Sequence, residues 1–149
     1  MAEERELPEY LRFVQLLWEL DHALNKRSRW MLKHLGVTAE QRFMIHLVAL
    51  SPGCTPAELA RTLRVTPATV TRGVRRLEEA GYVAREADPE DSRKVKLALT
   101  ARGRRAEERP EARGEGPVAQ VLARAPKSRV DEAHRLLEDI IEELRKPAS

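Results

Sequence analysis

Three arginines, Arg72, Arg75 and Arg76, recur on one side of a short segment in the middle of the chain. A guanidinium group can bind guanine O6 and N7, or a phosphate, through two hydrogen bonds at once. The segment begins at Thr66-Pro67 and ends at Gly81, which are typical start and stop signals of a helix. At 100° per residue the arginines lie opposite an apolar row, so they face outward together with two small residues. The apolar row comprises Val70, Val74 and Leu77, and the small outward residues are Ala68 and Thr69.

The positive charge of the chain is concentrated around these arginines. Residues 61–105 contain 12 Lys+Arg and 6 Asp+Glu, whereas the rest of the chain contains 15 Lys+Arg and 18 Asp+Glu. The formal net charge of +3 and the pI near 9.3 therefore conceal a basic module, which is what a phosphate-binding protein needs. A solvated helix face is the alternative explanation of the arginines, but the helix-turn-helix punctuation before them favours nucleic acid.

A β-hairpin is predicted after Gly81, because the apolar period changes there from about 3.6 to 2. The polar residues 87–93 form its predicted loop. Asp91 and Arg93 are two residues apart, so in extended chain they point the same way, and we expect the carboxylate to hold the guanidinium in a fixed direction. An arginine held at a loop tip suits insertion into a narrow minor groove. The alternative is an ordinary exposed ion pair.

Three helices are predicted before the arginines. Apolar residues at helical spacing from Leu7 to Leu35 predict one long helix with a broad apolar face, ended by Gly36. The capping box of residues 38–41 starts a second helix, and Thr55-Pro56-Ala57-Glu58 starts a short third one. The inner side of the second helix is predicted to comprise Phe43, Met44, Leu47, Val48 and Leu50.

The sequence changes character after the hairpin. Thr100 can cap a fifth helix, but residues 101–117 contain no Leu, Ile or Val, and two prolines and two glycines interrupt them. This composition predicts a kink near Pro110 or a mobile segment. From Ser128 to Lys146 an amphipathic pattern predicts a final helix. The interrupting residues are Pro110, Gly114, Gly116 and Pro117.

The run from Thr55 to Gly103 resembles the winged helix of MarR-type bacterial transcription regulators. The motifs that carry the resemblance are Val70-Thr71-Arg72, Leu77-Glu78-Glu79-Ala80-Gly81, Asp91-x-Arg93 and Leu99-Thr100-x-x-Gly103. The resemblance implies a homodimer whose first, fifth and sixth helices form the interface, with two winged helices on a pseudo-palindromic operator. It also implies a ligand pocket or a reactive cysteine between the dimer helices and the winged helix.

Two features depart from the family pattern. Gly73 lies in the middle of the recognition helix, where it costs about 1 kcal/mol relative to Ala, and we interpret it as a site of close packing against a neighbouring helix. The interruption around Pro110 falls where the family has a continuous fifth helix, so the dimer geometry of the family does not carry over directly to this chain.

The predicted fold is mainly α with a small β-hairpin wing. Residues 37–100 are expected to form a winged helix-turn-helix DNA-binding domain, and residues 1–36 and 101–149 are expected to form dimerisation helices. The partners predicted for this fold are double-stranded DNA and a second copy of the chain. The residues expected to contact DNA are Thr66, Ala68, Thr69, Thr71, Arg72, Arg75, Arg76, Asp91, Arg93 and Lys94.

Other chemistries find little support in the sequence. Nucleophile, phosphate-loop, dinucleotide and zinc-protease motifs are absent, so no enzymatic activity, metal or cofactor is expected. Cys54 is interpreted as a small buried thiol, with a redox sensor as the alternative. Aromatic and polar side chains of the first two helices are candidates for an effector pocket that would take a small aromatic or anionic molecule. These candidates are Trp18, His22, Trp30, His34, Arg42 and His46, and core or dimer packing is the alternative for each.

We therefore predict a homodimeric, sequence-specific repressor that acts by occluding promoter DNA. A winged helix used only for protein contacts is the alternative, but such a helix should carry apolar anchors where this one carries arginines. No 18-residue apolar run occurs, and the N-terminus is acidic where a secretory signal would be basic, so we expect a cytoplasmic protein without a membrane partner.

Overall fold

The computed structural model describes residues 6–109 and 116–148. These residues form helices α1 (Glu9–Leu35), α2 (Ala39–Leu50), α3 (Pro56–Leu63) and α4 (Pro67–Glu79), strands β1 (Val83–Ala87) and β2 (Val95–Leu99), and helices α5 (Ala101–Glu107), α6 (Pro117–Arg124) and α7 (Lys127–Arg145). The chain divides into two compact units, Met1–Glu107 and Glu108–Ser149. Within the described ranges, no helix is both long enough and apolar enough to cross a membrane.

Helix α1 begins two residues later than the sequence pattern suggested. Pro8 takes the N-cap position with an extended backbone, φ −49° and ψ 144°. Because proline lacks an amide hydrogen and disfavours helical geometry in the residue before it, Leu7 cannot join the helix. Gly36 ends α1 in the left-handed region, with φ 75°, as predicted.

Local capping sets the starts of the next two helices. The Thr38 hydroxyl accepts a hydrogen bond from the Gln41 amide at 3.1 Å, and the Gln41 side chain accepts one from the Thr38 amide at 3.0 Å. Thr55 and Glu58 form the same reciprocal pair at the start of α3, where Pro56 occupies the first helical position. Both predicted capping boxes are confirmed.

The end of α4 turns the chain sharply into the wing. Gly81 adopts φ 78°, the Gly81 amide donates to the Glu78 carbonyl at 2.9 Å, and the Tyr82 amide donates to the Leu77 carbonyl at 2.9 Å. This pair of hydrogen bonds is a Schellman motif, in which a left-handed glycine satisfies the free carbonyls of the last turn. The predicted glycine cap is confirmed.

The wing is a two-stranded antiparallel hairpin. Val83 pairs with Leu99 and Ala87 with Val95, so the strands are in register along their whole length. A further pairing, which was not predicted, occurs on the other edge of β2. There the Gly53 amide donates to the Leu97 carbonyl at 3.0 Å, and the Leu97 amide donates to the Cys54 carbonyl at 2.8 Å. The turn between α2 and α3 thus ties the hairpin to the helices.

One apolar core joins α2, α3, α4 and the hairpin. Leu97 is fully buried in this core. Because the core buries the apolar face of α4, the opposite face of that helix points to solvent. The predicted inner side of α2 was partly wrong, because Phe43 and Leu50 are 52% and 66% exposed, whereas Ile45 is buried. The core residues are Val37, Met44, Ile45, Val48, Cys54, Leu59, Ala60, Val70, Val74, Leu77, Tyr82, Val83 and Leu97.

The predicted fifth helix is short. Thr100 caps α5 by accepting a hydrogen bond from the Gly103 amide at 3.1 Å, and α5 ends at Glu107. The expected kink at Pro110, and Gly114, lie outside the described residues. Helix α6, which begins at Pro117, was not predicted. The final helix, α7, begins within one residue of its predicted start.

Candidate nucleic-acid interface

The outward face of α4 is anchored by the core and open to solvent. Val70, Val74 and Leu77 are buried, whereas Arg72, Arg75 and Arg76 are exposed. Within the described part of the chain, none of the three guanidinium groups forms an ion pair. A helix that is fixed on one side and presents unpaired guanidinium groups on the other is preorganised to bind phosphates or base edges.

The threonines of α4 are oriented by hydrogen bonds within the helix. The Thr66 hydroxyl caps α4 by accepting from the Thr69 amide at 3.3 Å, and it lies 2.9 Å from the Thr69 hydroxyl. The Thr71 hydroxyl donates to the Pro67 carbonyl at 2.9 Å. Their side chains are therefore held close to the first turn, where Ala68 is exposed between them.

A groove separates the start of α2 from α4. It has a volume of about 270 Å³, and Arg72 and Arg76 contribute the positive charge of its lining while Glu40 contributes a carboxylate. Gly73 lies in this groove, and a Cβ added there would meet the Met44 side chain at 2.6 Å. The interpretation of Gly73 as a point of close helix packing is confirmed.

The Asp91-x-Arg93 motif is built differently from the prediction. The Asp91 carboxylate accepts a hydrogen bond from the Arg93 backbone amide at 3.0 Å, and no ion pair to the Arg93 guanidinium occurs among the described residues. The prediction that Asp91 holds the Arg93 guanidinium in a fixed direction is wrong. The carboxylate binds the nearer backbone amide instead and forms a turn that shapes the loop. The exposed side chains of Arg93 and Lys94 project from this turn.

Asp88 is a second loop carboxylate with a structural role that was not predicted. It accepts a hydrogen bond from the Glu90 amide at 2.9 Å and lies 3.5 Å from the Lys96 ammonium. The Glu90 amide, followed by Lys96, lowers the pKa of Asp88. The contacts of the folded loop favour the charged form of the Asp88 carboxylate. Its contribution to stability is therefore present at neutral pH and is lost as pH falls through the lowered pKa. The turn-forming Asp-Pro sequence was the available signal.

The six effector candidates are placed in separate environments. Trp30 and His34 stack with ring centroids 4.6 Å apart, and the Arg27 guanidinium lies 5.9 Å from the Trp30 ring centre. His46 lies 2.6 Å from a Glu107 carboxylate oxygen, which joins α2 to α5. The remaining candidates are Trp18 and His22, exposed on α1, and Arg42, buried on α2.

Cys54 lines a cavity of about 410 Å³ beside Leu47, Glu58 and Leu59. The thiol belongs to the core and is 8% exposed. Burial, followed by the negative charge of Glu58, raises the pKa of Cys54. A protonated, buried thiol is a weak nucleophile, which agrees with the interpretation of Cys54 as a packing residue.

Metal chemistry finds no site in the described ranges. Within residues 6–109 and 116–148, no three His, Cys, Asp or Glu side chains lie together as ligands of one ion would.

Two kinds of likeness identify the family. The chain matches the model described as "MarR family" over residues 35–94. The HTH-type transcriptional repressor Rv2887 of Mycobacterium tuberculosis (strain ATCC 25618 / H37Rv) is 37% identical over 125 residues, covering 84% of this chain and 90% of the relative. The chain belongs to the MarR family of winged helix-turn-helix transcriptional regulators. Its named relatives are regulators, which is a non-enzymatic role.

Solved structures share the fold of this MarR-family chain. The crystal structure of Streptococcus pneumoniae FabT in complex with DNA has a TM-score of 0.69 and 22% identity, and the match covers 91% of this chain and 97% of that chain. The S. aureus MepR-DNA complex has a TM-score of 0.73 and 19% identity, covering 94% and 100%. The motifs from Val70 to Gly103 thus belong to the fold that their resemblance implied.

Proposed function

We propose that this MarR-family chain is a homodimeric repressor that binds a pseudo-palindromic operator. The observation that carries the proposal is the outward face of α4, where three exposed and unpaired guanidinium groups stand on a helix fixed by the core. In this proposal α4 enters the major groove and the wing enters the adjacent minor groove. Asp91 shapes the wing turn, and the contacts are made by the rest of the predicted set: Thr66, Ala68, Thr69, Thr71, Arg72, Arg75, Arg76, Arg93 and Lys94.

The proteins that this chain resembles support the proposal. The mycobacterial relative is named a transcriptional repressor, and FabT and MepR are solved with DNA. A repressor needs only to occupy promoter DNA, so repression by occlusion is the simplest mode of action for a protein of this kind. We place its action in the cytoplasm and assign it no enzymatic activity.

Exposed apolar rows on the flanking helices support a dimer. Trp18, Leu20 and Leu24 of α1 are about half exposed or more in one chain, as are Leu136 and Leu144 of α7. Apolar rows of this extent are covered in soluble proteins by another chain or another segment. A two-fold dimer then presents two α4 helices to half-sites about one helical turn apart, roughly 34 Å.

An effector pocket is the second part of the proposal. We infer that a small aromatic or anionic molecule binds beside Trp30 and His34, two of the six candidates that the structure brings together, and weakens operator binding. The stacked Trp30 and His34 rings support aromatic recognition, because they offer an exposed ring surface beside the Arg27 charge. Titration of aromatic carboxylates against the protein–operator complex tests this part, and a complex that withstands all of them argues against it.

Two substitutions test the DNA contacts, with an operator selected from a random duplex library and fluorescence anisotropy at several salt concentrations. Arg72→Ala should cost about 1 to 3 kcal/mol per half-site and relax the choice at one symmetric base pair, because it removes a two-point base contact. Arg93→Ala should lower the slope of log K against log salt by up to roughly 2, because the dimer loses two charges from the minor groove. Arg135→Ala, which removes the same charge from the side of α7 opposite its apolar row, is the control.

The two failures are distinguishable. If Arg93→Ala leaves affinity and slope unchanged, the wing does not touch DNA. If Arg72→Ala does the same, α4 is not the reading helix, and the protein-contact role of the winged helix gains support instead.

A further inference from the structure

A salt bridge joins the recognition helix to the wing. The Arg85 guanidinium Nε donates to the Glu78 carboxylate at 2.7 Å, across the tight turn at Gly81. Glu78 lies in the last turn of α4 and Arg85 is the third residue of β1. The pair therefore connects the element that carries Arg72 with the element that leads to Arg93.

The pair lies where strand β1 becomes exposed, opposite Leu97 of β2. Val83 at the start of β1 is buried, whereas Arg85, Glu86 and Ala87 are exposed. Farther out, the loop is held by its own contacts, such as the Asp88–Lys96 pair. Among the ion pairs of the described residues, Glu78–Arg85 is the one that joins α4 to β1.

A small rotation at the Glu78–Arg85 pair produces a larger displacement at the loop. Strands rise about 3.3 Å per residue, so the loop begins roughly 10 Å beyond Arg85, and a rotation of about 10° at the pair would displace it by roughly 2 Å. Hydrogen bonds tolerate only a few tenths of an ångström in donor–acceptor distance. A small loss of angular restraint would therefore remove the wing from its contact.

We propose that Glu78 and Arg85 are positioning residues, which fix the wing relative to α4 and set the spacing between the Arg72 and Arg93 contacts. The inference rests on the proposed DNA-binding function and adds the device that aligns its two contacts. It assigns an acidic side chain a favourable part in binding a polyanion, which is opposite to its direct electrostatic effect.

Glu79 provides a matched control for that difference in sign. It is the neighbour of Glu78 on α4, carries the same charge, and is exposed without an ion pair among the described residues. By direct electrostatics alone, E78Q and E79Q should both strengthen DNA binding, because each removes two negative charges from the dimer. If Glu78 positions the wing, E78Q should weaken operator binding while E79Q strengthens it.

The experiment measures operator affinity by anisotropy and minor-groove protection by hydroxyl-radical footprinting, with the full-length protein and the selected operator. E78Q should lower affinity roughly 2- to 30-fold, as expected for two exposed pairs, and lose protection at the wing positions while protection around α4 persists. The swapped variant E78R/R85E, which rebuilds the pair with reversed charges, should restore both. Thermal unfolding checks that each variant is folded.

The outcomes distinguish the positioning role of Glu78 and Arg85 from the proposed contact of the wing with DNA. An E78Q protein that binds more tightly, as E79Q does, and keeps the wild-type footprint would overturn the positioning role, and so would failure of the swapped variant to restore the wing protection. Arg93→Ala is footprinted in parallel. Unchanged protection in Arg93→Ala would overturn the wing contact itself, and the positioning role with it.

Discussion

The winged helix and the flanking helices carry equally clear apolar patterns, yet a single chain buries the apolar face of the first and leaves most of that of the second exposed. Val70, Val74 and Leu97 are at most 1% exposed in the core of the winged helix. In contrast, α6 and α7 contain no buried residue, and Trp18 of α1 is 73% exposed. Periodicity therefore predicts which face of a helix will be covered, but not whether the residues that cover it belong to the same chain.

The largest expected effect comes from breaking the flanking helices. Leu137→Glu places a charge in the apolar row of α7, where a second copy would cover it. The dimer should dissociate, and operator affinity should fall about 10²- to 10⁴-fold, because the second half-site would no longer bind as part of one assembly. Sedimentation equilibrium and anisotropy measure the two effects.

A control on the same helix isolates the apolar row. Ser128→Glu introduces the same charge on the opposite side of α7 and should leave dimerisation and affinity nearly unchanged. Leu137→Glu protein that sediments as a dimer with wild-type affinity would contradict the assignment of α7 to the interface.

The next largest effect concerns the core of the winged helix. Leu97→Ala should lower the free energy of unfolding by about 2 to 5 kcal/mol, because it leaves a cavity among fully buried side chains. The effect should not depend on protein concentration in urea denaturation. Leu144→Ala, on the exposed row of α7, should act through the dimer and so depend on concentration. A concentration-dependent loss of stability in Leu97→Ala, together with a concentration-independent loss in Leu144→Ala, would contradict this difference.

Two glycines, Gly73 and Gly103, pack closely against neighbouring residues of the winged helix. A Cβ at Gly103 would lie 2.1 Å from the Tyr82 carbonyl oxygen, whereas one at Gly73 would meet only the flexible end of Met44 at 2.6 Å. Gly103→Ala should therefore cost about 1 to 3 kcal/mol, as overpacking does. Gly73→Ala should cost less, because about 1 kcal/mol of helix propensity offsets the clash. Equal losses in thermal unfolding would contradict the difference.

The smallest effect concerns Cys54, whose thiol the winged helix buries. Burial raises the pKa of Cys54, so the thiol is protonated at neutral pH and a thiol-specific reagent should label the native protein far more slowly than the denatured one. Since the folded state holds this proton more tightly, the contribution to stability is present at neutral pH and is lost as pH rises through the raised pKa. Equal labelling rates would favour the redox sensor.

Features that depend on neighbours in sequence were predictable. The capping boxes at Thr38 and Thr55 and the glycine end at Gly81 follow from hydrogen bonds within a few residues, and they were correct. The start of α6 had a similar signal, because Pro117 occupies the first helical position and Val118 begins an apolar row. That signal is ambiguous in sequence, because proline also interrupts helices.

Features that depend on distant neighbours were not predictable in the same way. Ile45 rather than Phe43 turns inward because the packing of α2 against α4 and β2 selects the face. The pairing of Gly53 and Cys54 with Leu97 is too short to leave a periodic pattern. In the wing, the spacing of Asp91 and Arg93 was informative, but it could not show that the carboxylate would reach the amide rather than the guanidinium. The DNA and effector contacts remain predictions.

Selection of binding sequences from a random duplex library tests the central claim most directly, because one experiment reports DNA binding, symmetry and spacing together. If two winged helices act as a two-fold pair, the enriched sequences should form an inverted repeat with half-site centres roughly 34 Å apart. Enrichment of a motif without dyad symmetry, or no enrichment at all, would contradict the proposal that the flanking helices form a dimer that places two copies of α4 on one operator.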